Sequence, residues 1–378
     1  MNGIKKIFMF ANYTPSDDSI GITKKIRSEI CTLRELGMKV WYTGYESNAV
    51  VIFDNNDTII MRKLYPFPIS MFKRKVRYYW LEKTALAYLN ENADFDLGYF
   101  RLGPPNNMIF KMFKKLKQNN ARIIAESLAY FPGIKYTSLG GKYIMHCFEK
   151  NGYLFKKYIS YFLCEGNITE MFEVPAYTMN MGVDIEHIIP HHYRGENDEL
   201  NLISVANENV YHAYDRIIES VHAYQGNKKV KVHLVGTISD ASKALISKYG
   251  LEEKVILYGK KCGNELDEIY DKCNVGLGPF GQHRVGGKKD TGLKTKEYFA
   301  KGIPYIFSGE EPTVPVDYPY IYRFPSDESP IDFDKVWNFY KSYANDPTVI
   351  QKMRLFAMEN YSWHKIMEDA LSHFNWKE

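Results

Sequence analysis

Apolar positions along the chain come in two alternating patterns. Short continuous runs, such as Ile4–Ala11, Lys39–Thr43, Leu97–Arg101 and Ala121–Ala125, read as buried strands. Between the first two, Ile22, Ile26, Ile30 and Leu33 recur at helical spacing, and Gly37 follows as a natural helix stop. The second half repeats the theme, with strands at Leu200–Ala206, Val230–Gly236, Val255–Gly259, Val275–Gly278 and Pro304–Phe307. Helices fall between them at Ala213–Tyr224, Ala241–Tyr249, Glu265–Lys272 and Leu293–Ala300. Strands buried on both faces and alternating with helices predict an α/β chain of two doubly wound, Rossmann-like domains. Periodicity fails between His187 and Glu199, so the expected domains are 1–185 and 186–361. An amphipathic tail over 362–378 carries Trp363, Ile366, Met367, Leu371 and Phe374 on one side.

Composition narrows the class. The 378 residues are 45% hydrophobic and 25% charged, which excludes disorder, collagen-like repeats and coiled coil. No apolar stretch approaches the roughly 20 residues that span a bilayer, and no signal peptide is recognisable at the N-terminus. Five scattered cysteines without a C-x-x-C pair argue against a disulfide framework or zinc site, so a cytoplasmic setting is expected. The net charge of +4 conceals +8 over residues 1–185 and −4 over the rest. The excess gathers at Lys73-Arg74-Lys75-Val76-Arg77-Tyr78-Tyr79-Trp80 and Lys111–Lys117, where basic and aromatic residues interleave. Such stretches suit either a solvated helix face or peripheral contact with an anionic membrane. Nucleic acid is not an expected partner.

Ligands of open parallel sheets sit beyond the carboxyl ends of the strands. The richest loop in such a position runs from Gly278 to Gly292, contains His283, Arg284, Lys288 and Lys289, and opens the helix at Leu293. Backbone N–H groups at a helix start, its dipole and nearby cations favour an anion, above all a phosphate. A surface loop with incidental lysines would look the same.

The run Glu297-Tyr298-Phe299-Ala300-Lys301-Gly302-Ile303-Pro304 resembles the E-x-x-A-x-G-x-P signature of GT-B glycosyltransferases, specifically the large retaining family 4. Asn180-Met181-Gly182-Val183-Asp184 is similar to that family's N-G-V-D, and Val255–Gly259 to its V-x-F-x-G. Tyr214–Ile218 and Tyr361-Ser362-Trp363 also resemble family segments, so the likeness covers 180–376 in order. It implies two domains facing a central cleft, with a C-terminal helix crossing back to the first. It also implies Glu297 on the ribose of a nucleotide sugar, where an ionised carboxylate accepts two vicinal hydroxyls. Gly292 and Leu293, with Thr291 beside them, match the segment whose N–H groups meet the diphosphate. Gly259 and Lys260 match the surroundings of the base. Asn207 and Gly21, the latter where the family has its glycine-rich first loop, complete the expected donor set.

Two positions depart from the pattern. Lys289 stands eight residues before Glu297, where the family has a glutamate, with Asp290 adjacent. His212 replaces the usual phosphate-binding lysine. Phosphate neutralisation is then expected from Arg284, Lys289 or Lys294, with Arg284 foremost because a guanidinium can grip phosphate bidentately. His283 and Arg284 form a pair also seen in bacterial surface-polysaccharide glycosyltransferases. In the first half, Glu126, Tyr130 and Tyr136 could orient an acceptor hydroxyl, with His146 as a further candidate on an apparently packed helix. Asp94-Phe95-Asp96 has the D-x-D form of a metal site but precedes its strand, so no metal or other cofactor is expected.

The resemblance implies metal-independent sugar transfer with retention, from a UDP-sugar by default, to a glycan or lipid-linked glycan of a bacterial surface. The alternative is a non-catalytic homologue that binds nucleotide or glycan as a partner subunit. A dehydrogenase is disfavoured because neither first-strand loop has G-x-G-x-x-G.

Overall fold

A computed structural model describes residues 4–16, 21–65, 73–127, 138–164, 168–192, 198–286 and 292–374. The chain divides into two compact units, Met1–Asn180 with Trp363–Glu378, and Met181–Ser362. The changeover thus falls before the polar stretch that begins at 186. Val183 and Ile185 already pack in the second unit's core, and the Val183 N–H donates to the Tyr361 carbonyl at 2.8 Å.

In the first unit the elements are β1 (Lys6–Phe10), α1 (Gly21–Glu35), β2 (Lys39–Glu46), β3 (Ala49–Phe53), β4 (Ile59–Leu64), α2 (Lys73–Glu91) and β5 (Leu97–Leu102). They continue with α3 (Asn107–Gln118), β6 (Arg122–Ser127), α4 (Leu139–Asn151), β7 (Tyr161–Cys164), β8 (Glu170–Met171) and β9 (Val174–Thr178). The strands form one sheet in the order β4-β3-β2-β1-β5-β6-β7-β9-β8. From β2 to β9 the neighbours run parallel, but β3 and β4 return antiparallel, which the run pattern did not predict. The turn between them is set locally. Asp54 Oδ1 accepts the N–H groups of Asn56 and Thr58 at 2.8 and 2.9 Å, and Asp57 adopts φ 60°. Helices cover both faces: α2, α3 and α4 pack around Phe8, Phe10 and Phe100, while α1 packs with residues 363–374 around Met9, Tyr99 and Ile124.

The second unit contains β10 (Glu199–Val205), α5 (Tyr214–Ala223), β11 (Lys229–Val235), α6 (Asp240–Tyr249), β12 (Val255–Gly259), α7 (Asn264–Tyr270) and β13 (Val275–Leu277). There follow α8 (Leu293–Lys301), β14 (Tyr305–Ser308), β15 (Ile321–Phe324), α9 (Phe333–Tyr343) and α10 (Val349–Tyr361). The final helix, α11 (Trp363–Ser372), belongs to the first unit, where the Tyr161 hydroxyl donates to the Ala370 carbonyl at 2.7 Å. The second sheet runs β12-β11-β10-β13-β14-β15, parallel throughout. Its order reverses between β10 and β13, the position at which open α/β sheets bind ligands.

Candidate functional site

The loops after β10 and β13 meet at this reversal. The Gly281 N–H donates to the Tyr211 carbonyl at 2.9 Å. A Cβ on Gly281 would stand 2.7 Å from the Val210 oxygen, so only glycine admits this approach. Asn209 opens a short 3-10 turn over Val210–His212, and its own N–H donates to His212 Nδ1 at 3.1 Å. The other ring nitrogen, Nε2, faces α8. That nitrogen lies 2.8 Å from Lys294 Nζ. Burial, reinforced by Lys294, holds the imidazole pKa down to about 3, so the ring stays neutral at physiological pH. An ammonium only donates, and with three hydrogens Lys294 has donors beyond this contact to offer an anion.

Helix α8 brings Lys294 there because its opposite side is anchored. Thr295, Tyr298 and Phe299 are buried, while Leu293, Lys294 and Glu297 are half-buried and share a face at helical spacing. The Tyr298 hydroxyl reaches the carbonyls of Ile203 on β10 and Leu277 on β13, each at 2.9 Å, which pins α8 across the reversal. Thr295 donates to buried Glu311 at 3.4 Å, and Glu311 accepts the Thr313 hydroxyl at 2.6 Å. The N-cap of α8 is Gly292 in extended backbone, with no side-chain cap among the described residues. A helix start, an ammonium, an imidazole and, one turn along, a carboxylate therefore occupy one side of α8.

Other expected donor residues take different posts. Arg284 is committed to carboxylates: Nε and Nη2 donate to Glu328 at 2.7 and 2.6 Å, and Nη1 to Asp215 at 2.7 and 2.9 Å. Those bonds hold the guanidinium where a phosphate grip was expected, and they lower the Glu328 pKa to about 2. His283 Nε2 meets the same Glu328 at 2.6 Å. Asn207 accepts the Thr237 N–H at 3.0 Å and braces the loop after β11. Gly259 ends β12, with φ 66° and its carbonyl accepting the Gly236 N–H at 2.8 Å, and Lys260 next to it is exposed. Lys289, Asp290 and Thr291 lie outside the described residues.

In the first unit the strand ends are occupied from within. Tyr99 and Arg101 share one face of β5, Glu126 faces them from β6, and Lys25 and Glu29 descend from α1. All five side chains are buried. Glu126 receives the Lys25 ammonium on Oε1 and the Tyr99 hydroxyl on Oε2 at 3.3 Å, while Arg101 Nη1 donates to Glu29 at 2.8 Å. Both oxygens of Glu126 are thus engaged, where an acceptor-orienting role was expected. Burial pushes its pKa up, but Arg101 and Lys25 outweigh this and hold it low; burial dominates at Glu29 and raises it. Gly21 opens α1, and Tyr130 and Tyr136 lie outside the described residues. His146 is on α4, exposed rather than packed. Asp96 accepts the N–H groups of Lys5 and Lys6 at 2.7 and 2.8 Å, and Asp94 pairs with Lys6 at 2.5 Å, so both brace the start of β1. Among the described residues, no three His, Cys, Asp or Glu side chains are grouped to hold a metal.

Comparison with solved structures bears on the architecture. A glycosyltransferase from Rickettsia africae ESF-5 matches with TM-score 0.65 and 12% identity over 98% of this chain and 97% of that one. The chain has the GT-B glycosyltransferase fold. Two other GT-B neighbours agree. Sucrose-phosphate synthase from Thermosynechococcus elongatus matches with TM-score 0.60 and 13% identity, over 97% of each chain. Anabaena Alr3699/HepE, in complex with UDP and glucose, matches with TM-score 0.54 and 10% identity over 98% of this chain and 100% of that one. No protein-family model matches the chain, and no curated protein matches it by sequence.

Residue patterns did not single out Glu328, Asp215 or Glu311. Each is an ordinary acidic residue whose importance comes from a partner 16 to 69 positions away. Asp215 was within reach, because an acidic first-turn residue on the helix after β10 stands near whatever follows β13 in this topology.

Proposed function

We propose that this chain transfers a sugar from a nucleotide-sugar donor to a glycan or lipid-linked glycan. The observation that carries the reading is the set His212 Nε2, Lys294 Nζ and Glu297 on one side of α8, at the strand reversal of a GT-B fold. In this reading the diphosphate sits against the start of α8, taking hydrogen bonds from Lys294, which His212 holds in place. Glu297 accepts the ribose hydroxyls. The UDP and glucose held by the HepE neighbour make a UDP-sugar the first donor to try.

The transfer retains configuration and needs no metal. The bond from the anomeric carbon to the phosphate oxygen breaks, and a bond to the acceptor oxygen forms on the same face. The acceptor's proton passes to the departing diphosphate. Lys294, positioned by His212, and the helix start stabilise the charge that builds on the leaving group. Construction of a bacterial surface polysaccharide is the setting that the motif resemblance favours.

A second reading, a nucleotide-binding homologue without turnover, is favoured by the engagement of Arg284 with Asp215 and Glu328. Titration with UDP, GDP, ADP and TDP, followed by turnover assays on the matching nucleotide sugars, separates the two. Binding with donor hydrolysis or transfer supports the enzyme. Binding without either supports the partner. Failure to bind any nucleotide diphosphate would refute both.

A further inference from the structure

The two faces of the first sheet differ in charge. On one face α2, α3 and α4 carry five, four and two Lys or Arg against two, none and one Asp or Glu. On the other, α1 and α11 carry four and one against two and two. Among these helices the basic excess lies mainly on one side of the sheet. Much of it is displayed outward: Lys111 and Lys114 on α3, Lys83 on α2, and Lys142 and Lys150 on α4 are exposed.

Apolar side chains stand among these cations. Leu139 and Tyr143, one turn apart on α4, are 86% and 52% exposed, and Tyr79 on α2 is 48% exposed. Lys83 Nζ lies 4.5 Å from the Trp80 ring centroid, an amphipathic pairing of the kind found at membrane interfaces. The outward stripe of α4, Leu139, Lys142, Tyr143 and His146, keeps helical spacing, while Phe148 on the inner side is fully buried.

From this we infer that the α2–α3–α4 face docks on an anionic lipid bilayer. The lysines meet the headgroup charge, and Leu139, Tyr143 and Tyr79 enter the interfacial layer. Charge alone would equally suit nucleic acid, but a projecting leucine offers a phosphate backbone nothing and gains free energy on leaving water. Among the described residues no helix is long and apolar enough to cross a membrane, so this attachment is peripheral. It does not depend on the sugar-transfer reading.

The test is flotation of the full chain with phosphatidylcholine vesicles, with and without about 30 mol% phosphatidylglycerol, at about 0.1 M salt. The wild type should bind only the anionic vesicles. Lys111→Glu with Lys114→Glu and Lys115→Glu should lower partitioning at least about tenfold, and Leu139→Ser with Tyr143→Ser at least about threefold. Lys24→Glu with Lys365→Glu, on the opposite face, should leave it nearly unchanged, and thermal melts confirm that each variant folds. The inference is overturned if the wild type ignores anionic vesicles, or if either face variant binds like wild type. It is equally overturned if the opposite-face variant loses as much, or if the chain binds a single-stranded oligonucleotide and no vesicle.

Discussion

Both units reverse their strand order beside the first strand, yet they furnish that position with opposite chemistry. In the first, Lys25, Glu29, Arg101 and Glu126 neutralise one another in a buried cluster. In the second, His212 and Lys294 meet on the half-buried side of α8, with Glu297 one turn away. A strand reversal supplies a place for a ligand, but the side chains decide whether the protein fills it. The first unit spends its charges on its own architecture, and the proposed function has the second turn them toward a nucleotide.

The largest expected effect tests the first half of that contrast. Glu126→Ala leaves two cations facing Glu29 alone in a buried site, so it should cost about 3–5 kcal/mol in denaturant unfolding. Nucleotide affinity of the folded fraction should hold. A loss below about 1 kcal/mol would show that the cluster is solvated or dispensable.

Next comes a buried carboxylate without a cation. Glu82 on α2 is 1% exposed and accepts the Asn106 side-chain amide at 2.7 Å. Burial raises its pKa from 4.5 to about 7, opposite in sign to Glu126. The folded state therefore holds this proton more tightly than the unfolded chain. Stability is full below pH 4.5 and declines as pH rises toward about 7, by a total on the order of 3 kcal/mol. Glu82→Gln should remove that decline, as read from unfolding free energies between about pH 5 and 8. A parallel pH profile in the variant would contradict the assignment.

Glu297→Ala should weaken nucleotide binding by about 1–3 kcal/mol through lost ribose hydrogen bonds. Its unfolding free energy should stay within about 0.5 kcal/mol of wild type. Calorimetric titration and a urea melt read the two separately, and equal affinity would remove Glu297 from the site. Arg284→Ala is expected to be mildest. Its pairs with Asp215 and Glu328 are partly exposed, so stability should fall by about 1 kcal/mol or less, and affinity should change by no more than about threefold. A larger drop in affinity would return Arg284 to the phosphate.

Much of the second unit was legible because its signals are local. Val255–Gly259 is a strand over that span, and Leu293 opens α8 where the helical spacing begins. The antiparallel β3–β4 return was obscured because Ala49–Phe53 is buried and continuous, like a parallel strand, and only the Asp54 turn betrays its direction. Glu297 was named from the family signature, and His212 and Lys294 as departures from the family pattern or replacements for it. The commitments of Arg284 and Glu126 could not be named, because they depend on carboxylates and cations far away in sequence. A charged residue in the right loop looks alike whether a ligand or the protein neutralises it.

The central claim is most directly tested by a crystal structure of this chain with UDP bound. The account predicts the diphosphate at the start of α8, within hydrogen-bond reach of Lys294 Nζ, and the ribose hydroxyls on Glu297. Nucleotide seated on the first unit's strand ends, or on the second unit away from α8, would contradict it.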